Sequence, residues 1–261
     1  MRRWLAALAL LFLSRPAFAG AWTEPADHWQ VIAALWASSA ARAYDGHGAP
    51  ARRTGFHKLL FQTNTEYGWN DRLTLFLDSE TAYAAVRDGA VPEQRGLDNA
   101  VEAGARYRLT DTFGVLSFQV SAKTAGAFNF SVSANSTAAG RQAELRLLYG
   151  TNFALCGDEG FLDFEAGERF ISAPRPDETP VDLTAGLWLS PRWMAMLQSF
   201  NIISGGDGTP PYASYRSHKL ALSVVRKLSD RLLVQAGGFL SPLGRNALVE
   251  EGVNLALWAR F

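Results

Sequence analysis

Apolar and polar side chains alternate along most of the chain with a period of two residues. Between residues 101 and 109 the apolar positions are Val101, Ala103, Ala105, Tyr107 and Leu109, and the others are Glu102, Gly104, Arg106 and Arg108. Successive side chains of a β-strand point to opposite faces, so this period predicts a strand with one apolar and one polar face. The same pattern recurs along the chain, and the sequence therefore predicts an all-β fold.

About twelve segments carry the alternation. Their approximate limits are 29–42, 57–67, 73–86, 98–109, 115–125, 140–150, 161–172, 179–189, 193–204, 213–228, 231–240 and 248–261. Short turns with Asn, Asp, Ser or Pro alternate with longer linkers. The linkers fall near residues 43–56, 87–97, 126–139, 172–178 and 204–212. Residues 151–160, which include Cys156, stand at the place of a short turn but predict a longer one.

Two architectures are compatible with alternating strands. A soluble sandwich buries one face of each strand, whereas an outer-membrane barrel turns its apolar face to lipid and has short turns at one end and longer loops at the other. Many segments reach ten residues or more, which favours the barrel because soluble strands average about five or six. Aromatic residues also cluster at the short turns, as in an interfacial girdle: Tyr67, Trp69, Tyr107, Phe113, Tyr149, Phe153 and Trp193. We therefore predict a single-chain transmembrane antiparallel β-barrel of about 12 strands.

The last segment carries the most specific pattern. Phe261, Leu257 and Leu255 are apolar at alternate positions, and the chain ends on the aromatic residue itself. This arrangement resembles the C-terminal signature that the bacterial barrel-assembly machinery recognises in outer-membrane proteins. The sequence therefore predicts Phe261, Leu257 and Leu255 as a membrane-assembly signal and that machinery as a partner.

The amino-terminal segment predicts export. Arg2 and Arg3 precede an apolar run over residues 4–13, and small residues at Ala17 and Ala19 follow it. This is the layout of a secretory signal peptide cleaved after Ala19. The apolar run is too short for a membrane helix, which needs about 20 residues. We therefore predict a signal peptide over residues 1–19, a barrel over residues 20–261, and a location in the bacterial outer membrane in contact with its lipid.

Composition excludes several other classes of protein. The chain has 25 Lys and Arg against 25 Asp and Glu, so it lacks the cationic surface of a nucleic-acid-binding protein. Cys156 is the only cysteine, which excludes an intramolecular disulfide framework. The four histidines do not stand at metal-ligand spacings, and nothing in the sequence requires a cofactor.

The polar faces of the strands would line the interior of the barrel. The predicted lumenal side chains are Glu66, Asp78, Glu80, Glu102, Arg106, Arg108, Lys123, Glu144, Arg146, Asp163, Glu165, Arg169, Asp182 and Lys219. A barrel of this strand number lies between filled and open barrels in width. The charges therefore form either a narrow polar pore with an electrostatic constriction or ion pairs that plug the tube. The sequence leaves both alternatives open.

Catalysis is not expected. A serine hydrolase needs its nucleophile and histidine base within hydrogen-bond reach, but Ser217 and His218 are adjacent and point to opposite faces of a strand. No Gly-x-Ser-x-Gly motif is present. We therefore predict that the protein is not an enzyme and has no catalytic, cofactor-binding or metal-binding residues.

Several stretches resemble a proteobacterial family of small outer-membrane barrels. They are GAWTEP from residue 20, EYGWNDRLTL from residue 66, QSFN from residue 198, YRSHK from residue 215 and GRNAL from residue 244. The group that they resemble most is the XagA-like exopolysaccharide-associated proteins, which are similar to transporters linked to the meta-pathway of phenol degradation. The sequence departs from the usual pattern at Trp29 and at Trp69-Asn70.

The resemblance implies an outer-membrane location and a role in transport or in exopolysaccharide secretion. On this basis we expect a narrow channel for small solutes, or one linked to exopolysaccharide secretion. The alternatives are a non-conducting barrel that presents its loops to a surface polymer and, less favoured, a barrel enzyme. Neither the residues nor the resemblance names the solute or the polymer.

Overall fold

A computed structural model describes residues 20–86, 94–124, 140–173, 175–206 and 213–261. These residues form thirteen β-strands. The strands are β1 Trp29–Tyr44, β2 Pro50–Asn70, β3 Leu73–Val86, β4 Gln94–Thr110, β5 Val115–Lys123, β6 Gln142–Leu155, β7 Asp158–Ile171, β8 Glu178–Ser190, β9 Trp193–Ser204, β10 Arg216–Lys227, β11 Leu232–Arg245, β12 Ala247–Leu248 and β13 Glu251–Arg260. In this part of the chain, no helix has both the length and the apolar character that a membrane crossing requires.

The strands close into a single antiparallel barrel. Strands β1 to β11 pair in chain order, and β13 pairs with both β11 and β1. The two-residue strand β12 continues the line of β13 along β1, since Leu248 lies opposite Ala43 and Glu251 lies opposite Ser39. The two therefore act as one barrel strand, which gives a closed barrel of 12 strands. The predicted fold class is confirmed.

The strand limits differ from the predicted ones mainly at the ends of hairpins. Residues 43–56 were expected to form a long linker, but β1 continues to Tyr44 and β2 begins at Pro50. The turn at residues 151–160 is tight, because only Cys156 and Gly157 connect β6 and β7. Their φ angles of 55° and 94° are the positive values of the two-residue turns that match the twist of paired strands. The expected long turn is therefore wrong. The predicted loop centres at residues 87–93, 126–139 and 207–212 lie outside the described residues.

The hairpin between β1 and β2 is fixed by a carboxylate. Asp45 accepts hydrogen bonds from the backbone amides of Ala49 at 2.9 Å and His47 at 2.8 Å. These bonds favour the charged form and lower the pKa of Asp45 below its usual value. A lowered folded-state pKa means that the contribution to stability is present at neutral pH and is lost as the pH falls through that pKa.

The outer surface of the barrel is apolar in the middle of every strand. Leucine, valine and phenylalanine side chains there are exposed, and Leu222 of β10 is 65% exposed. The three residues of the predicted assembly signal also point outward, with Leu255, Leu257 and Phe261 exposed. Exposed aromatic rings of Trp29 and Trp69 lie at the end of the barrel that carries the short turns. A continuous apolar belt of this kind is the lipid-facing surface of a transmembrane barrel.

The lipid-facing belt gives a depth-dependent prediction. Leu222→Arg, at the middle of β10, is expected to lower the free energy of unfolding by about 2–4 kcal/mol, because a cation would replace a leucine at the bilayer midplane. Leu228→Arg, beside the turn after β10, is the matched control and should cost about 0–1 kcal/mol. Denaturant unfolding in lipid vesicles measures both. Equal losses in the two variants would contradict the assignment of the outer face.

Candidate functional site in the barrel lumen

Charged side chains meet across the inside of the barrel. Contacts between strands that are not neighbours require both side chains to point inward, and three ion pairs of this kind join strands in the described part of the chain. Arg106 of β4 contacts Glu66 of β2 at 2.9 Å, Lys123 of β5 contacts Glu80 of β3 at 2.8 Å, and Arg146 of β6 contacts Asp182 of β8 at 2.9 Å. The structure therefore places these six predicted residues in the lumen.

Arg106 forms the most extensive of these pairings. Its guanidinium binds both carboxylate oxygens of Glu66, at 2.9 and 3.3 Å, and donates from Nε to the side-chain oxygen of Gln119 at 3.1 Å. It also donates to the backbone carbonyl of Trp22 at 3.0 Å. Arg106 and Glu66 are both buried, so their charges depend on each other for compensation.

A second network runs along the wall formed by β6, β7 and β8. Arg146 binds Glu144, Glu165 at 2.8 Å and Asp182. Arg169 binds the same Glu144 at 2.5 Å. All five residues of this network were predicted as lumenal, but alternation could not predict which of them pair with each other.

The second network continues into the long-loop end of the barrel. Arg169 binds Glu178 at 2.7 Å, and Arg175 lies 3.4 Å from the same carboxylate. The hydroxyl of Tyr215 donates to Glu178 as well, and the carboxylate of Asp177 accepts the amide of Ile171 at 2.7 Å. The charge-rich segment around residues 165–178 is therefore tied into one set of ion pairs and hydrogen bonds.

A third network contains two residues that the sequence reasoning missed. Glu250, which is buried, binds Lys58 at 2.9 Å and the predicted residue Lys219 at 2.6 Å, and accepts a hydrogen bond from Ser38 at 2.5 Å. Lys58 shares the alternation of Gln62 and Glu66 on β2, so extending that pattern would have found it. Glu250 lies between β12 and β13 in the structure, but it falls within the predicted segment 248–261 and shares the alternation of Asn254 and Trp258, so the same extension would have found it.

The remaining predicted residues have different surroundings. Glu102 accepts from Ser121 at 2.6 Å and lies 3.9 Å from Lys123. Arg108 lies at the short-turn end and contacts the exposed Asp111 at 3.5 Å. Asp78 accepts the side-chain amide of Asn64 at 2.6 Å, and Asp163 accepts a backbone amide. Within the described residues neither Asp78 nor Asp163 has a Lys, Arg or His nitrogen inside 4.0 Å.

Residues 20–26, which we call the lumenal segment, fold back inside the barrel. A hydrogen bond from the amide of His28 to the carbonyl of Pro25 at 3.1 Å closes a turn below β1. Asp27 adopts a positive φ of 62° in this turn, and its amide donates to Gly68 at 2.8 Å. The reversal directs the preceding residues from the short-turn end into the lumen, and Ala21 is completely buried.

Polar side chains of the wall hold the lumenal segment along its length. The backbone amides of Ala21, Glu24 and Ala26 donate to the side chains of Asp163 at 2.8 Å, Thr74 at 2.8 Å and Asp71 at 3.1 Å. The backbone carbonyls of Ala21 and Trp22 accept from the hydroxyl of Ser117 at 2.5 Å and from the guanidinium of Arg106 at 3.0 Å. The Trp22 ring packs edge-on to Phe161, with 6.0 Å between the ring centres. The segment therefore crosses the lumen at the short-turn end.

Glycines make room for the lumenal segment. A Cβ atom at Gly68 would lie 1.9 Å from the carbonyl oxygen of Pro25, and one at Gly150 would lie 2.6 Å from the Trp22 ring. Neither distance is possible for a real Cβ atom without displacement of a neighbour. The absence of a side chain at Gly68 and Gly150 therefore lets the backbone of Pro25 and the indole ring of Trp22 approach the barrel wall closely.

The opposite wall of the lumen is apolar, which the alternation did not predict. Met194, Met196, Val225 and Trp258 are buried there, and Trp22 packs against the same cluster. A polar lumen was expected because the apolar face of each strand was assigned to lipid. The available indication was the weak alternation of β9 and β13, in which both faces carry apolar residues.

A cavity of about 350 Å³ lies between the two walls. Its charged side includes Asp78, Glu80, Arg146, Asp163, Glu165 and Asp182, and its apolar side includes Ile32, Trp36, Phe161, Met196, Phe200 and Trp258. The lumenal segment borders this cavity, because Asp163 binds Ala21 and Phe161 packs against Trp22. These contacts place the segment beside the cavity, at its short-turn side.

Comparison with known proteins identifies the architecture. A crystallised COG4313 outer membrane channel from Pseudomonas putida F1 has a TM-score of 0.71 at 15% identity, and covers 95% of this chain and 100% of its own. The translocator domain of the autotransporter NalP from Neisseria meningitidis has a TM-score of 0.53 at 11% identity, and covers 100% of this chain and 94% of its own. The fold is that of an outer-membrane β-barrel. The transport unit of the autotransporter AIDA-I from Escherichia coli has a TM-score of 0.52 at 9% identity, over 99% of this chain and 97% of its own.

At these identities the comparison concerns the fold alone. No protein-family model matches the chain, and no curated protein matches it. The resemblance to the XagA-like proteins therefore stays a prediction.

The absence of catalysis also stays a prediction. In the structure the side chain of Ser217 is buried on the lumenal face. The next residue, His218, forms a hydrogen bond with the side chain of Asn201 at 2.8 Å.

Proposed function

We propose that the protein is an outer-membrane channel for small solutes whose lumen is closed at the short-turn end by the lumenal segment. The observation that carries this proposal is the path of residues 20–26 through the barrel interior. Hydrogen bonds and one aromatic contact hold the segment, each worth about 1 kcal/mol, so its release does not require unfolding of the barrel.

Three features support a channel over a plugged barrel. The ion pairs of Arg146 and Arg169 follow the wall of β6–β8, so they brace one side of the lumen and leave the cavity beside them. Among the described residues that line the cavity, the apolar side contributes no charged side chain that could close the gap by pairing. The similar structure from Pseudomonas putida is described as an outer membrane channel, which agrees with this assignment.

Export to the outer membrane is part of the proposal. The lipid-facing belt requires a membrane, and residues 1–19, which lie outside the described residues, have the pattern of a signal peptide. Cleavage after Ala19 would make Gly20 the first residue of the lumenal segment. The position of a Cβ atom on Gly20 lies 2.5 Å from a carboxylate oxygen of Asp163. A side chain at this position would displace the carboxylate of Asp163.

We expect the purified outer-membrane protein to begin at Gly20. Intact-mass measurement and N-terminal sequencing check this directly, and the Ala17→Leu/Ala19→Leu variant should accumulate as a precursor because the small-residue cleavage pattern is lost. A first residue after Gly20 would contradict the proposed closure, since the segment would then be incomplete.

Planar-bilayer recording of the refolded chain from Gly20 onward tests the channel. We expect brief discrete conductance steps, because the segment leaves the lumen only part of the time. The reversal potential in a salt gradient reports the charge preference of the lumen. Heat-modifiable mobility in electrophoresis is the control that the barrel has folded. Complete silence of folded protein, also after removal of residues 20–26, would overturn the proposal.

The second candidate is a non-conducting barrel that presents its loops to a surface polymer. The observation in its favour is the set of ion pairs that joins Glu144, Arg169 and Glu178 to the long-loop end. The bilayer experiment separates the two, because this barrel would remain silent in every variant that folds. A link to exopolysaccharide secretion rests on the sequence resemblance and is not required by either candidate.

A further inference from the structure

The cavity in the lumen has two chemically different walls, and this difference defines what it can bind. One wall carries five carboxylates, Asp78, Glu80, Asp163, Glu165 and Asp182, against one guanidinium, Arg146. The facing wall carries the rings of Trp36, Phe200 and Trp258. Trp36 and Phe200 meet edge-on with 6.5 Å between their ring centres, which gives a rigid aromatic surface.

Asp78 is the carboxylate on this wall that most needs a cation. Its hydrogen-bond partner is the neutral amide of Asn64 at 2.6 Å, and the residue opposite it on β4 is another acid, Glu102. In the described part of the chain no cationic nitrogen lies within 4.0 Å of it. Asp163 differs, because the amide of Ala21 and the amino end of the lumenal segment lie against it. A negative charge on the carboxylate of Asp78 is therefore costly as long as no cation pairs with it.

Unpaired acceptors accompany Asp78. The amide nitrogen of Asn64 binds Asp78, and the side-chain oxygen of Asn64 is buried with no hydrogen-bond partner. Across the cavity, Asn254 is only 2% exposed, and its side-chain oxygen also lacks a partner. Both residues line the cavity. Both oxygens are closed to solvent, whereas the carboxylate of Asp78 is partly exposed in the cavity. An ammonium group would supply this carboxylate with three donors and a positive charge.

We propose that this cavity binds a small organic cation with an aromatic body, of the aralkylammonium class. The ammonium group binds the carboxylate of Asp78, and the ring packs on Trp36 and Phe200. A cavity of about 350 Å³ accommodates a single ring with a short amine chain. This inference deepens the proposed function, since it names the class of solute that the channel would take, and it rests on that function only for the transport of the ligand.

Calorimetric titration of the detergent-purified chain with three probes of similar size tests the charge requirement. The probes are phenethylammonium, 2-phenylethanol and 3-phenylpropionate, which are cationic, neutral and anionic. We expect phenethylammonium to bind with a Kd below about 1 mM, and the other two to bind at least about tenfold more weakly. Equal affinity for the three probes, or a preference for the anion, would overturn the proposal.

Two variants on the same strand pair test the residue. Asp78→Asn keeps the shape and removes the charge, and we expect it to weaken phenethylammonium binding about tenfold or more. Glu102→Gln is the matched control, because Glu102 lies opposite Asp78 but does not line the cavity. It should change the affinity less than about threefold. If Asp78→Asn fails to fold, Trp36→Leu, which removes the aromatic wall, should weaken phenethylammonium binding while keeping the barrel.

The binding assay and the bilayer assay fail independently. Selective binding of phenethylammonium by a barrel that shows no conductance would contradict the channel but would support the cation site. Conductance without selective binding of phenethylammonium would leave the channel standing and refute the cation site. Equal loss of binding in Asp78→Asn and Glu102→Gln would show a general effect of lumenal charge and would also refute the site.

Discussion

Gly68→Ala is expected to raise the fraction of time that the channel is open about tenfold or more, which corresponds to about 1.4 kcal/mol. The added Cβ atom would lie 1.9 Å from the carbonyl oxygen of Pro25 and 2.6 Å from that of Glu24. Strand β2 is paired on both sides, whereas the lumenal segment is held by single hydrogen bonds. The segment therefore moves, and the strand does not. Single-channel recording measures the open fraction.

Gly96→Ala is the matched control for this prediction. Gly96 lies on β4, and a Cβ atom there would have no neighbour within 4 Å. The fraction of time that the Gly96→Ala channel is open should equal that of the unaltered chain. If both glycine variants behave like the unaltered chain while the barrel folds normally, the lumenal segment does not control conduction.

Arg106→Ala is expected to have the largest effect on stability. The substitution leaves the buried carboxylate of Glu66 without its cation and removes a bond to the backbone of Trp22. Breaking a buried ion pair on one side costs about 3–5 kcal/mol. Because the same bond holds the lumenal segment, the open fraction should rise as well. Denaturant unfolding in vesicles and bilayer recording measure the two effects separately.

Two further variants show whether the lost ion pair is the cause. Arg106→Met/Glu66→Leu removes both charges and should recover most of the lost stability, since apolar replacement of a buried pair is often neutral. Arg108→Ala removes a cation whose partner Asp111 is exposed, and should cost about 0–1 kcal/mol. A double variant as unstable as Arg106→Ala would refute the role assigned to the pair.

Alternation was sufficient to predict the barrel, because each strand separates lipid from lumen. Strand β3 over residues 73–86 and strand β9 over residues 193–204 have the predicted limits. The errors lie where alternation has no meaning, as at Cys156 and Gly157, which form a tight turn through positive φ angles. Alternation does not locate such a turn, because it reports the face that a strand side chain takes and not the backbone φ angles that reverse the chain.

The contents of the lumen were harder to predict, and the reason is physical. Period-two alternation reports which face a side chain takes, but not what lies opposite it across the barrel. The pairing of Arg106 with Glu66 depends on strands two apart, and that of Lys58 with Glu250 depends on barrel closure. The lumenal segment has no strand pattern, so nothing in its sequence indicated that Ala21 and Trp22 occupy the interior.

Side-by-side bilayer recording of the chain from Gly20 and of a variant without residues 20–26 tests the central claim most directly. Both proteins must first show the heat-modifiable mobility of a folded barrel. The closure of the lumen by the segment predicts brief, sparse openings for the chain from Gly20 and long openings of higher conductance for the shortened variant. Equal conductance of the two, or silence of the shortened variant, would contradict it.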